Sequence, residues 1–297
     1  VATAVKTTTT GTGSLALPAA LILTGAVSVQ AGAGIASRLF TLVPPAAVTA
    51  VRLGAAAAIL LLVAGRPASR ALATVVRGKT WRAAGSAGAF GVALAVMNLA
   101  IYQSFARIPL GVAVTVEFLG PLAVAVAGAR RLTAAGWAVL AGGGVALLGY
   151  GSGGHLNLAG VAWGLVSAAG WSAYIVLSRA SGQQMPGSSG LVIAMCVAAV
   201  LVTGPGVAAG GTAMFTPRVL LTGAAVGLLS SVIPYWLEFQ ALRRIRPRIF
   251  GVWMSLQPAV AAVVGLVLLG QRLGLEEWAG ICCVVIASGG AARGEKE

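Results

Sequence analysis

The sequence has very little charge. Only 9% of its 297 residues are charged, none is aspartate, and there are one histidine and three cysteines. A soluble domain carries about a quarter charged residues, so this composition excludes an ordinary water-soluble protein. Without aspartate and with a single histidine, few residues remain to build a metal centre or an aspartate-rich diphosphate site. We therefore expect no metal, no cofactor and no enzymatic activity.

Hydrophobic residues make up 58% of the chain, and the mean hydropathy is +0.95. A membrane-spanning helix needs about 20 consecutive apolar residues. The sequence contains ten such stretches joined by short connections, which predicts an all-α membrane protein with ten transmembrane helices. The predicted spans are Leu17–Ala36, Ala46–Ala64, Ala83–Phe105, Pro109–Gly128, Thr133–Gly149, Leu158–Leu177, Ser189–Ala209, Val219–Gln240, Ile249–Gly270 and Glu276–Ala292.

The basic residues are distributed unequally between the two sides of these spans. Of 20 lysines and arginines, 15 fall on the side that holds both termini, four fall on the other side, and Arg52 lies within a span. Cytoplasmic loops of membrane proteins are enriched in lysine and arginine, so we expect both termini to be cytoplasmic. This topology also explains the net charge of +14 without nucleic acid as a partner. The richness in arginine, alanine and glycine suggests a bacterial inner membrane.

The two halves of the chain are related by an internal repeat. A shift of 137 residues aligns Gln103 with Gln240 and Pro121 with Pro258. We expect a disordered tail over residues 1–14, five-helix repeats over 15–151 and 152–293, and a short tail over 294–297. An odd number of spans inverts the second repeat. Inverted repeats place a substrate site near the bilayer midplane, which favours a secondary transporter.

Two ionisable residues lie at matching depth within the predicted spans. Arg52 is about seven residues, and Glu117 eight residues, beyond the same predicted membrane surface, which places both about 10–12 Å deep. A charge inside a membrane is costly unless it is paired or hydrated, and it commonly marks a functional site. We expect Arg52 and Glu117 to face a cavity and to bind substrate. The alternative is a static ion pair that fixes helix packing.

Three prolines interrupt the helical hydrogen-bonding pattern close to these charges. Pro121 and Pro258 occupy equivalent positions in the two repeats, and Pro234 lies in span eight. Proline has no N–H, so each one leaves a carbonyl group without its helical donor. Broken spans at matching positions point to a transport site, and we expect these prolines to contribute to gating. A simple packing kink is the alternative for each proline.

Other polar and aromatic residues are candidates for the cavity wall. Glu238 is expected either to handle protons or to form an interfacial ion pair with Arg243 or Arg244. Trp171 and Tyr174 lie one turn apart, and such an aromatic face can cover an ammonium group, although helix packing is the alternative role. The predicted wall residues are Gln30, Asn98, Tyr102, Trp171, Tyr174, Tyr235 and Ser255.

The chain resembles the drug/metabolite transporter superfamily of ten-helix EamA-type carriers, and within it the bacterial threonine and homoserine exporters. The motifs that carry the resemblance are SVQAGAGIASRLF (28–40), VTAVRL (48–53), IPLGVAVTVEFLGPLAVAV (108–126), IPYWLEFQALRR (233–244) and FGVWMSLQPAVAAVVGLVLLG (250–270). The resemblance implies proton-driven export of small amino acids, with Arg52, Glu117 and Glu238 at family-typical positions. Two residues differ from that pattern, because Gln257 and Gln271 occupy positions that usually carry glutamate.

We therefore expect an exporter of small zwitterionic amino acids in which Arg52 and Glu117 neutralise each other when the site is empty. The substrate carboxylate would bind Arg52 and its ammonium group would lie near Glu117. Protons arriving at Glu117 from outside would weaken ammonium binding and favour release. The alternatives are an exporter of a purine, an aromatic amino acid or a cation, and a membrane scaffold without transport activity.

Overall fold

The protein is described by a computed structural model that covers residues 16–76, 81–129, 132–151, 157–185, 189–242 and 244–294. Within these ranges the regular structure is helical and contains no strand. The predicted N-terminal tail, and residues 295–297 of the predicted C-terminal tail, lie outside them. The helices are α1 (Ala16–Arg38), α2 (Pro45–Val76), α3 (Trp81–Phe105), α4 (Leu110–Glu117), α5 (Leu119–Ala129), α6 (Leu132–Gly151), α7 (Leu158–Gln184), α8 (Ser189–Gly210), α9 (Pro217–Gly227), α10 (Ile233–Leu242), α11 (Pro247–Met254), α12 (Gln257–Leu269) and α13 (Leu275–Gly294).

The helices coincide with the ten predicted spans. Over the described residues, nine helical segments are long and apolar enough to cross a membrane, and a shorter apolar helix covers Ala135–Gly149. The main difference is in length, because α2 continues to Val76 and α7 to Gln184. An irregular loop cannot lie in hydrocarbon because its backbone N–H and C=O groups would lack hydrogen-bond partners, whereas a helix pairs these groups internally. Apolar content therefore predicts where the spans lie, but helices such as α2 and α7 continue beyond their apolar stretches.

Large apolar side chains are exposed around the outside of the helix bundle. Val139, Leu221 and Val267 are between 72% and 75% exposed. Exposed apolar patches of this kind mark an interaction surface. Because such residues recur on several of the apolar helices, the surrounding hydrocarbon of a bilayer accounts for them. The described chain is that of a multi-pass membrane protein.

Three spans are interrupted where the sequence places prolines. Span four stops at Glu117 and restarts at Leu119, which lie four and two residues before Pro121. Span nine stops at Met254 and restarts at Gln257, next to Pro258. In span eight, a π-helical turn at Leu228–Val232 separates α9 from α10. Such π-helical turns occur frequently at functional sites.

Helix ends outside these breaks follow ordinary capping chemistry. The Asn157 side chain accepts a hydrogen bond from the Gly160 N–H at the start of α7 (3.1 Å). Glu277 accepts one from the Gly274 N–H at the start of α13 (2.6 Å). Gly270 ends α12 in the left-handed region (φ 68°), a conformation that glycine adopts without steric cost.

The helices of the two halves pack against each other in matching pairs. Helix α2 packs on α8, α4 on α12, and α6 on α13, and each pair joins a span to its counterpart in the other half. The contact of α3 with α7 is likewise matched by that of α1 with α10. The buried core combines small side chains such as Ala47, Ala56 and Ala261 with larger aliphatic and aromatic ones.

Two helices approach each other closely near the break in span four. Gly120 lies against the Ala168 backbone, and a Cβ at this position would overlap the Ala168 carbonyl oxygen. This contact draws α5 onto α7, where the Ser172 hydroxyl donates to the Gly120 carbonyl oxygen (2.9 Å). Small residues allow membrane helices to approach at backbone distance. As a result, the interrupted span four lies directly against the polar face of α7.

Candidate functional site

A cavity of about 240 Å³ lies between the two halves of the chain. Its walls include side chains from α1, α2, α3, α4, α7, α8, α10, α11 and α12, together with the π-helical turn. Eight of the side chains that the sequence analysis singled out line this cavity: Gln30, Arg52, Asn98, Tyr102, Glu117, Trp171, Tyr174 and Glu238. Residues from distant parts of the sequence therefore meet around one space.

Arg52 is held by polar and aromatic contacts with α3. Its Nη1 donates to the Asn98 Oδ1 (2.8 Å), and its Cζ lies 5.2 Å from the centroid of the Tyr102 ring. Asn98 is itself oriented, because its Nδ2 donates to the Leu94 carbonyl oxygen (2.8 Å). Among the described residues, the buried Arg52 Nε has no hydrogen-bond partner. The guanidinium is thus fixed in place with donor capacity remaining for an anionic group.

Glu117 ends α4 and points towards α7. It is 9% exposed, and its Oε1 accepts a hydrogen bond from the Ser167 hydroxyl (2.5 Å). The Ser167 hydroxyl also lies 3.0 Å from the Met97 carbonyl oxygen. A serine hydroxyl has one proton to donate, so the carboxylate of Glu117 and the Met97 carbonyl share a single donor. Ser167 thereby links three spans at the point where span four is broken.

The direct ion pair expected between Arg52 and Glu117 is not formed among the described side chains, and that expectation was wrong. Arg52 binds Asn98, whereas Glu117 binds Ser167. Both charged groups line the same cavity. The physical reason is that each charged group has a neutral hydrogen-bond partner on an adjacent helix, which satisfies it without closing the cavity.

Two aromatic side chains of α7 line the cavity. The Trp171 ring lies 4.9 Å from the Phe118 ring and nearly perpendicular to it (84°). The Tyr174 ring lies 5.1 Å from the Phe90 ring. The first pair is edge-to-face and the second is tilted, and aromatic pairs at these distances stabilise packing. Both expected roles therefore coexist, because the rings pack against neighbours and also form part of the wall.

The remaining predicted residues have varied placements. Glu238 lines the cavity and packs beside Gly25 of α1, and within the described part of the chain it makes no hydrogen bond or ion pair. Ser255 lies outside the cavity wall, because its hydroxyl donates to the Val252 carbonyl oxygen (2.7 Å) and faces Gly289 of α13. The side chain of Tyr235, like Arg243, lies outside the described residues.

Several cavity residues were missed as site residues. Gln257, Ser230 and Ser231 line the cavity, and Ser167 binds Glu117. Ser167 precedes Trp171 by four residues, which places both on one face of α7. That spacing was a usable signal. Gln257 was noted only as a departure from a family pattern, and its side chain accepts a hydrogen bond from the Gln30 Nε2 (3.0 Å).

Comparisons with known proteins agree with this architecture. Residues 158–291 match the model of the EamA-like transporter family. The chain is 36% identical over 277 residues to "Threonine/homoserine exporter RhtA" of Escherichia coli K12, and 35% identical to the protein of that name in Salmonella typhimurium LT2. Each alignment covers 93% of this chain and 91% of the relative. "Uncharacterized transporter YwfM" of Bacillus subtilis is 28% identical over 133 residues, 44% of this chain and 45% of that protein.

A solved crystal structure shares the fold. The match has a TM-score of 0.59 at 16% sequence identity and covers 92% of this chain and 97% of the other. At 16% sequence identity, this match shows similarity of fold alone. The alignments to the exporters cover 93% of the chain at 35–36% identity, so they show the family as well as the fold. The chain belongs to the EamA-like transporter family, within the drug/metabolite transporter superfamily.

Proposed function

We propose that this protein exports small zwitterionic amino acids across the bacterial inner membrane, with threonine and homoserine as the leading candidate substrates. The observation that carries the proposal is one cavity whose wall holds both a fixed guanidinium, Arg52, and a carboxylate, Glu117. A zwitterion presents one group to each. The names of the curated relatives with 35–36% identity support the same substrates.

The substrate would replace neutral partners rather than an internal ion pair. Its carboxylate would bind the free donor positions of Arg52 beside Asn98. Its ammonium group would lie between Glu117 and the ring of Trp171, where a carboxylate and an aromatic face both attract a cation. Since neither Arg52 nor Glu117 must first release the other, binding involves little rearrangement of the wall.

The size of the cavity favours a small substrate. Pockets for drug-sized ligands measure roughly 300–1,000 Å³, whereas this cavity measures about 240 Å³. A small amino acid fits such a space more readily than an aromatic amino acid or a large organic cation. The rival function is export of another metabolite, and the experiment below tests it directly.

Transport would proceed by alternating access between two inverted five-helix repeats, with both termini in the cytoplasm. The matching helix pairs α2 with α8, α4 with α12 and α6 with α13 support this repeat. The interruptions at Phe118 and at Ser255–Leu256 lie in spans four and nine, which correspond in the two repeats. Pro121, Pro234 and Pro258 would act as flexible points, because a broken helix can change its bend without losing further hydrogen bonds.

Protons would drive the cycle through Glu117, with Glu238 as a second acceptor. An ionised Glu117 attracts the substrate ammonium group, whereas a protonated one does not. Protonation from the outer side would therefore release the amino acid there, and return of the proton to the cytoplasm would restore the binding state. Glu238 lines the same cavity and lies close to the predicted cytoplasmic end of span eight.

Counterflow in proteoliposomes tests this function. The purified protein should accumulate labelled threonine and homoserine against an internal pool of the same solute, and it should fail to accumulate adenine, phenylalanine or tetraphenylphosphonium. Arg52→Gln should abolish this counterflow, whereas the exposed Arg107→Gln should retain it. Accumulation of adenine or of the cation instead would replace the proposal with its rival. Absence of counterflow for every solute would contradict it.

A further inference from the structure

A neutral polar pair in the cavity wall has no role in the binding scheme above. Gln30 of α1 and Gln257, the first residue of α12, are 3% and 5% exposed. The Gln30 Nε2 donates to the Gln257 Oε1 at 3.0 Å, and both residues line the cavity. Because this amide pair joins helices 227 positions apart in sequence, its position depends on how the two halves pack.

The amide pair leaves hydrogen-bonding capacity unused. A glutamine amide has two N–H donors and a carbonyl oxygen that accepts twice. The contact within the pair takes one donor of Gln30 and one acceptor position of Gln257. The Gln257 Nε2 has only the weak acceptor Met254 Sδ, at 3.8 Å. Among the described residues, no hydrogen bond to the side-chain carbonyl oxygen of Gln30 is observed, so this oxygen retains its acceptor capacity.

A side-chain hydroxyl matches this unused capacity. A hydroxyl both donates and accepts through one oxygen, so it can bind the carbonyl of one amide and an N–H of the other. A methyl group in the same place would leave the Gln30 carbonyl oxygen and the Gln257 Nε2 without a strong hydrogen-bond partner in a partly closed cavity. Sites that hydrogen-bond a substrate hydroxyl discriminate strongly against analogues without it, whereas apolar pockets discriminate weakly.

From this arrangement we infer that Gln30 and Gln257 form a hydroxyl subsite, which selects amino acids that carry a hydroxyl on a short side chain. The inference rests on the proposed function, since it names the part of the substrate that Arg52 and Glu117 do not bind. It makes the amide pair a determinant of specificity rather than only a tie between the two halves.

Isosteric substrate pairs provide the test. Threonine and valine differ by a hydroxyl in place of a methyl group, and so do homoserine and norvaline. In proteoliposomes, the wild-type protein should transport the hydroxylated member of each pair at least about tenfold faster. Gln257→Met should remove most of that preference by slowing threonine and homoserine about tenfold while leaving valine and norvaline unchanged or faster. Gln30→Met should act in the same direction.

A control separates this role from a structural one. Arg38 also ties the two halves, through a hydrogen bond from its Nη2 to the Leu268 carbonyl oxygen, but it does not line the cavity. Arg38→Met should therefore leave both substrate ratios at their wild-type values. If Gln257→Met slows all four amino acids equally, as loss of a structural tie would, the subsite is excluded.

Two further outcomes keep the inference apart from the proposed function. Wild-type transport of valine and norvaline at the rates of threonine and homoserine would overturn the subsite while leaving the proposed amino-acid export intact. This comparison needs no variant, so it remains decisive even if a glutamine substitution prevents folding. Absence of transport for all four amino acids would overturn the proposed function, and the subsite with it.

Discussion

The protein interrupts two corresponding spans at equivalent positions, yet it places different chemistry at each interruption. In span four, Glu117 is the last residue of α4, and Gly120 precedes Pro121. The carboxylate is bound by Ser167, and Gly120 allows α5 to touch the backbone of α7. The first interruption is therefore charged and tightly packed against a neighbouring helix.

The second interruption has the same backbone feature without the charge. A shift of 137 residues aligns Glu117 with Met254, Gly120 with Gln257, and Pro121 with Pro258. Here the residue before the proline has a long amide side chain, which reaches Gln30 of α1. The second interruption is therefore neutral and contributes hydrogen-bonding groups in place of a close helix contact.

This difference shows how two spans that break at aligned positions can contribute different chemistry to one site. Both prolines leave a carbonyl group without a helical donor, so the backbone irregularity is common to the two halves. The side chains determine what each half offers to a substrate. In our proposal, Arg52 and Glu117 of the first half bind the charged groups that all amino acids share, and Gln257 of the second half joins Gln30 in binding the side-chain group that distinguishes them.

The largest expected effect comes from removing the charge at the first interruption. Glu117→Gln should lower amino-acid efflux by more than about 30-fold, because losing one partner of a buried charged contact costs about 2–5 kcal/mol. The remaining efflux should no longer change with external pH. The measurement is efflux from preloaded proteoliposomes over a range of external pH. Glu276→Gln, at an exposed position, is the matched control, and unchanged pH dependence in Glu117→Gln would refute proton coupling through this residue.

Removing the donor that binds Glu117 should have the next largest effect. Ser167→Ala deletes a hydrogen bond to a charged group, which contributes about 1.5–3 kcal/mol, and we expect an efflux rate roughly tenfold lower. Ser172→Ala removes a neutral hydrogen bond on the same helix, with an expected loss of about 1 kcal/mol. Efflux rates and thermal midpoints of both variants should be compared. Equal activity in the two variants would show that Ser167 has no special relation to the carboxylate.

The close packing of the first interruption can be tested through stability. Gly120→Ala places a methyl group against the Ala168 carbonyl oxygen, and overpacking of this kind costs about 1–3 kcal/mol. The variant should have a lower thermal midpoint in detergent. Gly142→Ala introduces the same group inside α6 where no atom lies within 4 Å, and it should leave the midpoint unchanged or raise it slightly, because alanine favours a helix over glycine. A normal midpoint for Gly120→Ala would mean that α5 and α7 can separate freely.

The smallest expected effect concerns how the two interrupted spans begin. The Leu110 N–H at the start of α4 donates to the Gln271 Oε1 (2.9 Å), whereas α11 starts with Pro247, which has no N–H. Gln271→Ala removes an acceptor at a helix N-terminus, a loss of about 1 kcal/mol, and should lower the thermal midpoint slightly. The exposed neighbour substitution Arg272→Ala should not. An equal effect of both would indicate that the Gln271 contact contributes nothing.

Most of the helical framework could be predicted from the sequence, because its determinants are local. Apart from the interruptions within spans four and nine, the ten apolar stretches are helical where the structure describes them, and the outer bounds differ mainly where α2 and α7 extend further. Pro121 and Pro258 also predicted interruptions that lie within three residues of them. The cytoplasmic termini and the inverted relation of the repeats remain predictions from charge and from chain symmetry.

The partners of the charged groups were predicted less well. The sequence suggested that Arg52 and Glu117 bind each other because they lie at similar depth. Depth follows from counting residues along each helix, but the direction of a side chain depends on how the helix is rotated against its neighbours. Ser255 shows the same limit, because it was assigned to the cavity wall and instead faces α13.

The sequence by itself determined that this chain lies in a membrane, where its apolar helices lie, and where two of its spans break, since apolar content and a missing N–H act within a few residues. Only the tertiary structure decided that Arg52 binds Asn98, that Glu117 binds Ser167, and that Gln30 binds Gln257. These contacts join residues 46 to 227 positions apart, and helix rotation and the close approach of small residues bring them together.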